Sequence, residues 1–228
     1  MEILNKYNWV IIFLPLLIGF FSFRKFQRGT KYIFYFVAFG SLTEILSRFL
    51  RLLDLNDNTL PIGHIYIPVS FALAGLFYLF RLRGFINEKI VAAIIILFIL
   101  FSIINSLLIQ SIYFFANYSG AIGALILIGF SVLLFAKIMA EGKIKKLIDE
   151  PVVWINSGIL VYYTSNFFFY ILYNILLENT IEFLLQTIFV FKIFNVIFYI
   201  LIAIGFWKAK KNSGLIKPEN SNTRKNYR

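Results

Sequence analysis

The chain of 228 residues contains no cysteine and one histidine, His64. A disulfide framework, a thiolate metal site and a cysteine nucleophile are therefore impossible, and the multi-histidine sites that hold zinc or iron are excluded. Charge is scarce at 14%, and acids are outnumbered by bases, 11 against 22. A net charge of +11 suits a nucleic-acid partner only when the bases gather on a soluble module, and no segment is long and polar enough to form one. No cofactor, no metal and no nucleic acid is expected. Apolar surface is what the sequence has in excess: 60% of residues are hydrophobic, 28 are phenylalanine, and the mean hydropathy is +0.82. This lies far outside the composition of soluble globular domains and indicates a membrane protein.

A helix needs about 20 apolar residues to cross a hydrocarbon core of about 30 Å. Seven runs approach that length: Tyr7–Phe23, Tyr32–Leu53, Ile65–Phe80, Ile90–Ile109, Tyr118–Ala136, Val152–Leu176 and Phe183–Trp207. The first and third are short and are expected to recruit flanking residues. The expected fold is all-α: a polytopic membrane protein, a seven-transmembrane-helix bundle over residues 1–207, with a basic, disordered tail over 208–228. The first run is expected to stay as an anchor, because Arg24, Lys25, Arg28 and Lys31 follow it where a small-residue cleavage site would stand.

Cytoplasmic loops of membrane proteins hold the excess of Lys and Arg. Four bases (Arg24, Lys25, Arg28, Lys31) follow the first run, three (Arg81, Arg83, Lys89) the third, four (Lys137, Lys143, Lys145, Lys146) the fifth, and seven lie beyond residue 207. The alternate segments hold one base, Lys6, with the acids Glu2, Asp54, Asp57, Glu178 and Glu182. The pattern predicts an outside N-terminus and a cytoplasmic C-terminus in the cell membrane. The tail then serves to hold the last helix against the lipid bilayer, at about 1 kcal/mol per base near anionic lipid, or to dock a cytoplasmic partner.

Three bases, Arg48, Arg51 and Lys192, fall inside the runs. An ionisable group at the bilayer centre costs about 2.5–3.5 kcal/mol on insertion scales, so each is a hypothesis about function. Ser41, Glu44, Arg48 and Arg51 are spaced by three and four, which on a helix gathers them within an arc of about 80°. The structural explanation pairs Glu44 with Arg48 and lets Arg51 snorkel to the interface. The functional one lines a water-accessible cavity with this stripe, where two guanidinium groups and one carboxylate favour an anion.

Lys192 matches Arg48 in depth and shares a helix face with Asn195 and Tyr199. In the sixth run Asn156, Tyr163, Asn166, Tyr170 and Asn174 recur at near-heptad spacing, a face unsuited to lipid. Either interhelical hydrogen bonds, worth about 0.6 kcal/mol each, or a pocket accounts for it. Ser102 and Asn105 of the fourth run reach the same level. His64 is expected to be solvated at the outer boundary, and Pro68 to bend the third helix. Ser119, Gly120, Gly123, Ala124 and Gly129 in the fifth run read as close helix packing. The candidate ligand-binding set is Glu44, Arg48, Arg51, Asn166, Tyr170, Lys192 and Asn195.

An offset of 118 residues aligns Gly40 with Gly158, Glu44 with Tyr162, Ser47 with Ser165 and Arg48 with Asn166. The resulting three-plus-one-plus-three plan resembles the parallel repeats of small sugar and vitamin transporters, and implies a site near the midplane between the halves. Trp154 and Gly158, with the closing Gly205-Phe206-Trp207, resemble a group of small uncharacterised bacterial multi-pass membrane proteins; the likeness covers the last two runs and implies no residue roles. Seven runs with a lysine in the last also resemble the microbial rhodopsins. The third run lacks their carboxylate counterion, however, and Ile188 stands four residues before Lys192, where those proteins place an aspartate, so no retinal is expected.

These features lead first to a non-enzymatic ligand-binding or sensory module whose outward-facing pocket takes a small anionic or lipid-like molecule. A small-solute transporter and a structural subunit of a membrane complex are the alternatives. A membrane hydrolase or lipid-modifying enzyme is disfavoured, because acid–base or metal chemistry needs paired groups and the runs offer one carboxylate.

Overall fold

A computed structural model describes residues 8–53, 58–142, 146–178 and 181–212. Among them the chain is all-helical, with seven α-helices: α1 (Phe13–Ser22), α2 (Arg28–Leu52), α3 (Leu60–Arg81), α4 (Glu88–Ile104), α5 (Asn117–Glu141), α6 (Pro151–Glu178) and α7 (Ile181–Asn212). Local chemistry sets many of the ends. The Asn58 side chain accepts the Leu60 amide at 2.9 Å and the Asn87 side chain the Lys89 amide at 3.0 Å, satisfying donors that a helix start leaves open. Pro151 opens α6, where a missing N–H costs nothing. Gly142 closes α5 in the left-handed conformation, with φ at +56°, which a Cβ would disfavour.

Five helical stretches are long and apolar enough to cross a membrane: Arg28–Leu52, Leu60–Arg81, Glu88–Ile109, Asn117–Glu141 and Phe183–Lys210. The remaining two depart from that standard for different reasons. Helix α6 has the length, 28 residues, and carries three asparagines and four tyrosines; the side chains of Asn174, Leu177 and Glu178 lie outside the described residues over which the spans are counted. Helix α1 has only 10 residues, about 15 Å at 1.5 Å per residue and half of a hydrocarbon core. A 3₁₀ segment, Asn8–Ile12, precedes it and extends its reach. Other expected boundaries shift outwards. Helix α3 starts at Leu60 and continues through Pro68, and α7 runs on to Asn212, so Lys208 and Lys210 are helical instead of belonging to a tail. The rest of the expected tail, residues 213–228, and the acids Glu2, Asp54 and Asp57 lie outside the described residues.

Helices α1, α2, α3, α5, α6 and α7 form a ring in which each packs on the next and α7 returns to α1. Helix α4 stands outside this ring, packed mainly on α3. It and the π-helical turn that continues it, Asn105–Ile109, expose Leu97, Leu100, Leu107 and Leu108, the last at 82%, a surface that water tolerates poorly and acyl chains cover well. Gly40 on α2 approaches Tyr66 of α3, and Gly158 on α6 approaches Leu201 and Ile202 of α7.

The two ends of the bundle differ. At the basic end Arg81, closing α3, donates to Gln27 at 2.6 Å and to Thr30 at 2.8 Å beside the start of α2. Lys208, near the end of α7, reaches Asp149 just before α6 at 3.3 Å. Lys137 of α5 donates to the carbonyls of Arg81 and Arg83 at 2.7 and 2.6 Å. The interior above them is filled by Phe71, Phe77, Leu82, Leu127, Ile155, Phe198 and Phe206, all 2% exposed or less. The other end opens into a cavity.

Candidate functional site

The cavity has a volume of about 410 Å³ and lies inside the ring, between α2 and α3 on one side and α6 and α7 on the other, with Ile12 beside α1 closing the flank. Helix α2 supplies one wall through Gly40, Thr43, Glu44, Ser47 and Arg48. Those positions follow the i, i+3, i+4, i+7, i+8 pattern of a single helical face. Helix α7 supplies the facing wall through Lys192, Asn195 and Tyr199. Thr59, Ile62 and Gly63 stand at the start of α3, and Tyr66 of α3 with Tyr162 of α6 complete the lining.

Arg48 Nε donates to Glu44 Oε1 at 2.8 Å, and both side chains remain about two-fifths exposed, at 37% and 40%. An ion pair this accessible contributes little to stability, roughly 0–1 kcal/mol, so its presence here is poorly explained by folding alone. Asn195 Oδ1 is buried and has no hydrogen-bond partner. An orphaned amide oxygen costs about 1–3 kcal/mol. The charged residues among the described lining are two cations and one carboxylate.

Four residues of the sequence-derived set, Glu44, Arg48, Lys192 and Asn195, thus line one cavity. The other three do not. Arg51 lies past the cavity wall, exposed, with Nε donating to the Ser47 carbonyl at 3.1 Å. Asn166 turns back onto its own helix, donating to the Tyr162 carbonyl at 2.7 Å. Tyr170 lies over Gly120 and stacks on Phe115. Ser41 also leaves the stripe: it is buried and donates to the Val37 carbonyl at 2.9 Å. The Asn174 side chain lies outside the described residues. Sequence reasoning missed Gly40, Thr43, Ser47 and the two tyrosines. The α2 residues were legible, since small and hydroxylated side chains at the spacing of Glu44 and Arg48 form a face that lipid does not favour. The tyrosines carried no such signal among 13 in the chain.

Below the cavity lies a second void of about 20 Å³, which shares Tyr66 and Tyr162 with it and is also lined by Ser70, Gly120, Tyr163 and Tyr170. It is large enough for about one water molecule. Tyr66 and Tyr162 thus stand between the two volumes, and Ser70 Oγ donates to the Ile67 carbonyl at 3.0 Å. Further towards the basic end, Tyr78 Oη donates to Asn156 Oδ1 at 2.9 Å, Ser131 Oγ donates to the same oxygen at 3.0 Å, and Asn156 Nδ2 donates to the Ser131 carbonyl at 3.0 Å. All three residues are inaccessible to solvent. Asn156 therefore acts as an interhelical tie joining α3, α5 and α6.

His64 is also not where the sequence suggests. It is buried at 6% exposure, with Nδ1 2.8 Å from Ser106 Oγ and Nε2 3.0 Å from the Phe114 carbonyl. A carbonyl only accepts, so Nε2 carries a proton. The histidine clamps α3 to the end of α4 and to the segment leading into α5, where Gln110 also donates to Asn117 at 2.6 Å. The small residues of α5 behave unevenly: a Cβ on Gly120 would collide with the Tyr170 ring and one on Gly123 would come 2.7 Å from Phe98, whereas Gly129 faces open space. No protein-family model, curated protein or solved structure matches the chain.

Proposed function

We propose that the chain is a multi-pass protein of the cell membrane, of seven crossings with its basic end cytoplasmic, that binds a small anionic or lipid-like molecule in the outward-facing cavity. The observation that carries this reading is the convergence of Arg48, Lys192 and Asn195 on one open volume of about 410 Å³. Clefts of roughly 300–1,000 Å³ are the usual size for small-molecule sites. Two cations against one carboxylate among the described lining residues favour an acidic group. The ligand chemistry is therefore a carboxylate or phosphate, a description that a small hydroxy acid and a lysolipid headgroup both meet. Bases at the start of α2, the end of α3, the end of α5 and the end of α7 support the orientation.

The test is thermal stabilisation of the purified protein by a panel of hydroxy- and amino-carboxylates and of short-chain lysophospholipids. At least one member should raise the melting midpoint of the parent. Lys192→Ala and Arg48→Ala should abolish the rise, and Arg51→Ala, outside the cavity, should keep it. Equal shifts in all four proteins, or none in the parent, would sink the reading.

A further inference from the structure

Beneath the cavity, polar groups recur along one seam of the bundle, interrupted by one apolar level. First come Tyr66 and Tyr162, then Ser70 with Tyr163 around the second void, and last the tie of Tyr78, Asn156 and Ser131. Every member on the α1–α3 side belongs to α3, and every member on the α5–α7 side belongs to α5 or α6. The seam is thus the boundary between helices α1–α3 and helices α5–α7, and α4, the linking helix, stays outside. A binding protein needs one closed floor under its ligand. Here there are two barriers in series: the tyrosine pair, and below the small void a level of apolar residues, Ala74, Leu127 and Ile159, all 2% exposed or less.

The bonds that close the basic end across the seam are of a kind that can be exchanged for water. They are the Tyr78–Asn156 hydrogen bond and the bonds from Lys137 to the carbonyls of Arg81 and Arg83. Opening them by tilting one set against the other would hydrate the seam from below, and the same tilt would bring the walls of the cavity together.

We infer that the protein carries its ligand across the membrane, loading it in the cavity and passing it between the two helix sets, with Tyr66 and Tyr162 as the upper gate and the Tyr78–Asn156–Ser131 cluster as the lower one. The inference rests on the binding reading above and adds passage to it.

Because the chain has no cysteine, single-cysteine variants report without background. Ser47→Cys (cavity), Ser70→Cys (second void), Ser131→Cys (lower gate) and Leu100→Cys (lipid-facing) would be reconstituted as full-length protein in vesicles and exposed to the impermeant anionic reagent 2-sulfonatoethyl methanethiosulfonate from one face or the other. Passage between the sets predicts that Ser47→Cys reacts from the cavity face. It also predicts that Ser70→Cys reacts from the basic face as well, at least tenfold faster than Leu100→Cys. If Ser131→Cys fails to elute as the parent does, Ala74→Cys replaces it as the probe of the deep seam, and either one should react from the basic face. If Ser47→Cys reacts while Ser70→Cys and the deep probe stay inert from both faces, transport is overturned and binding stands. If Ser47→Cys is inert as well, both readings fall.

Discussion

The two ends of this bundle solve the problem of polar groups in a membrane in opposite ways. At the basic end every polar side chain of the Tyr78–Asn156–Ser131 cluster is buried and matched. At the other end Glu44, Arg48 and Lys192 stand half-buried around an unfilled volume, and Asn195 Oδ1 is unmatched. A half-satisfied buried network is costly, and a protein that retains one forgoes stability available to it. The contrast separates residues that hold the helices together from residues that leave room between them. Substitutions should therefore fall into two classes.

The largest effect is expected at Gly205 on α7. A Cβ there meets Ile155 at 2.6 Å and the Pro151 carbonyl at 3.2 Å, and backbone cannot step aside as a side chain can. Gly205→Leu should cost about 3 kcal/mol or more through overpacking, read as loss of monodisperse protein on size exclusion.

Asn156→Leu comes next. It leaves the Tyr78 hydroxyl without its acceptor, at a cost of about 2 kcal/mol for an unmatched buried group, and should lower the melting midpoint in detergent. A midpoint equal to the parent's would mean that the basic end is no tighter than the cavity end.

Glu44→Gln should change stability by under about 1 kcal/mol, because the pair it breaks is exposed. It should also strengthen binding of an acidic probe by removing the one carboxylate among the described lining residues. Weaker binding would instead make Glu44 a direct contact for the ligand's donor.

Gly129→Ala is the reference: with nothing within 4 Å of the added methyl, it should leave the melting midpoint unchanged or raise it, by up to about 1 kcal/mol in stability from the better helix former.

Much of the architecture was readable because it depends on one-dimensional quantities. Run length set the number of helices, seven among the described residues. The small residues of α5 announced close packing at Gly120 and Gly123, though nothing in the sequence separated these from Gly129, which faces open space. Helix periodicity put Glu44 with Arg48, and Lys192 with Asn195 and Tyr199. It missed by one rotational step at Ser41, because an arc on an isolated helix does not say which side of it a neighbour covers, and by one turn along the axis at Arg51, which shares the face but stands past the cavity.

His64 shows the other limit. A lone histidine at a helix start reads as solvated, and only the approach of Ser106 and the Phe114 carbonyl from residues about 40 and 50 positions away buries it. Sequence alone determined that this chain is helical, apolar enough for a bilayer and asymmetric in charge, since those properties belong to each segment separately. Tertiary structure decided that Arg48 and Lys192 share a cavity, that Tyr66 and Tyr162 floor it and that α4 lies outside the ring. Those outcomes depend on which helix faces pack together, a choice made by the fit of side chains between segments far apart in the chain.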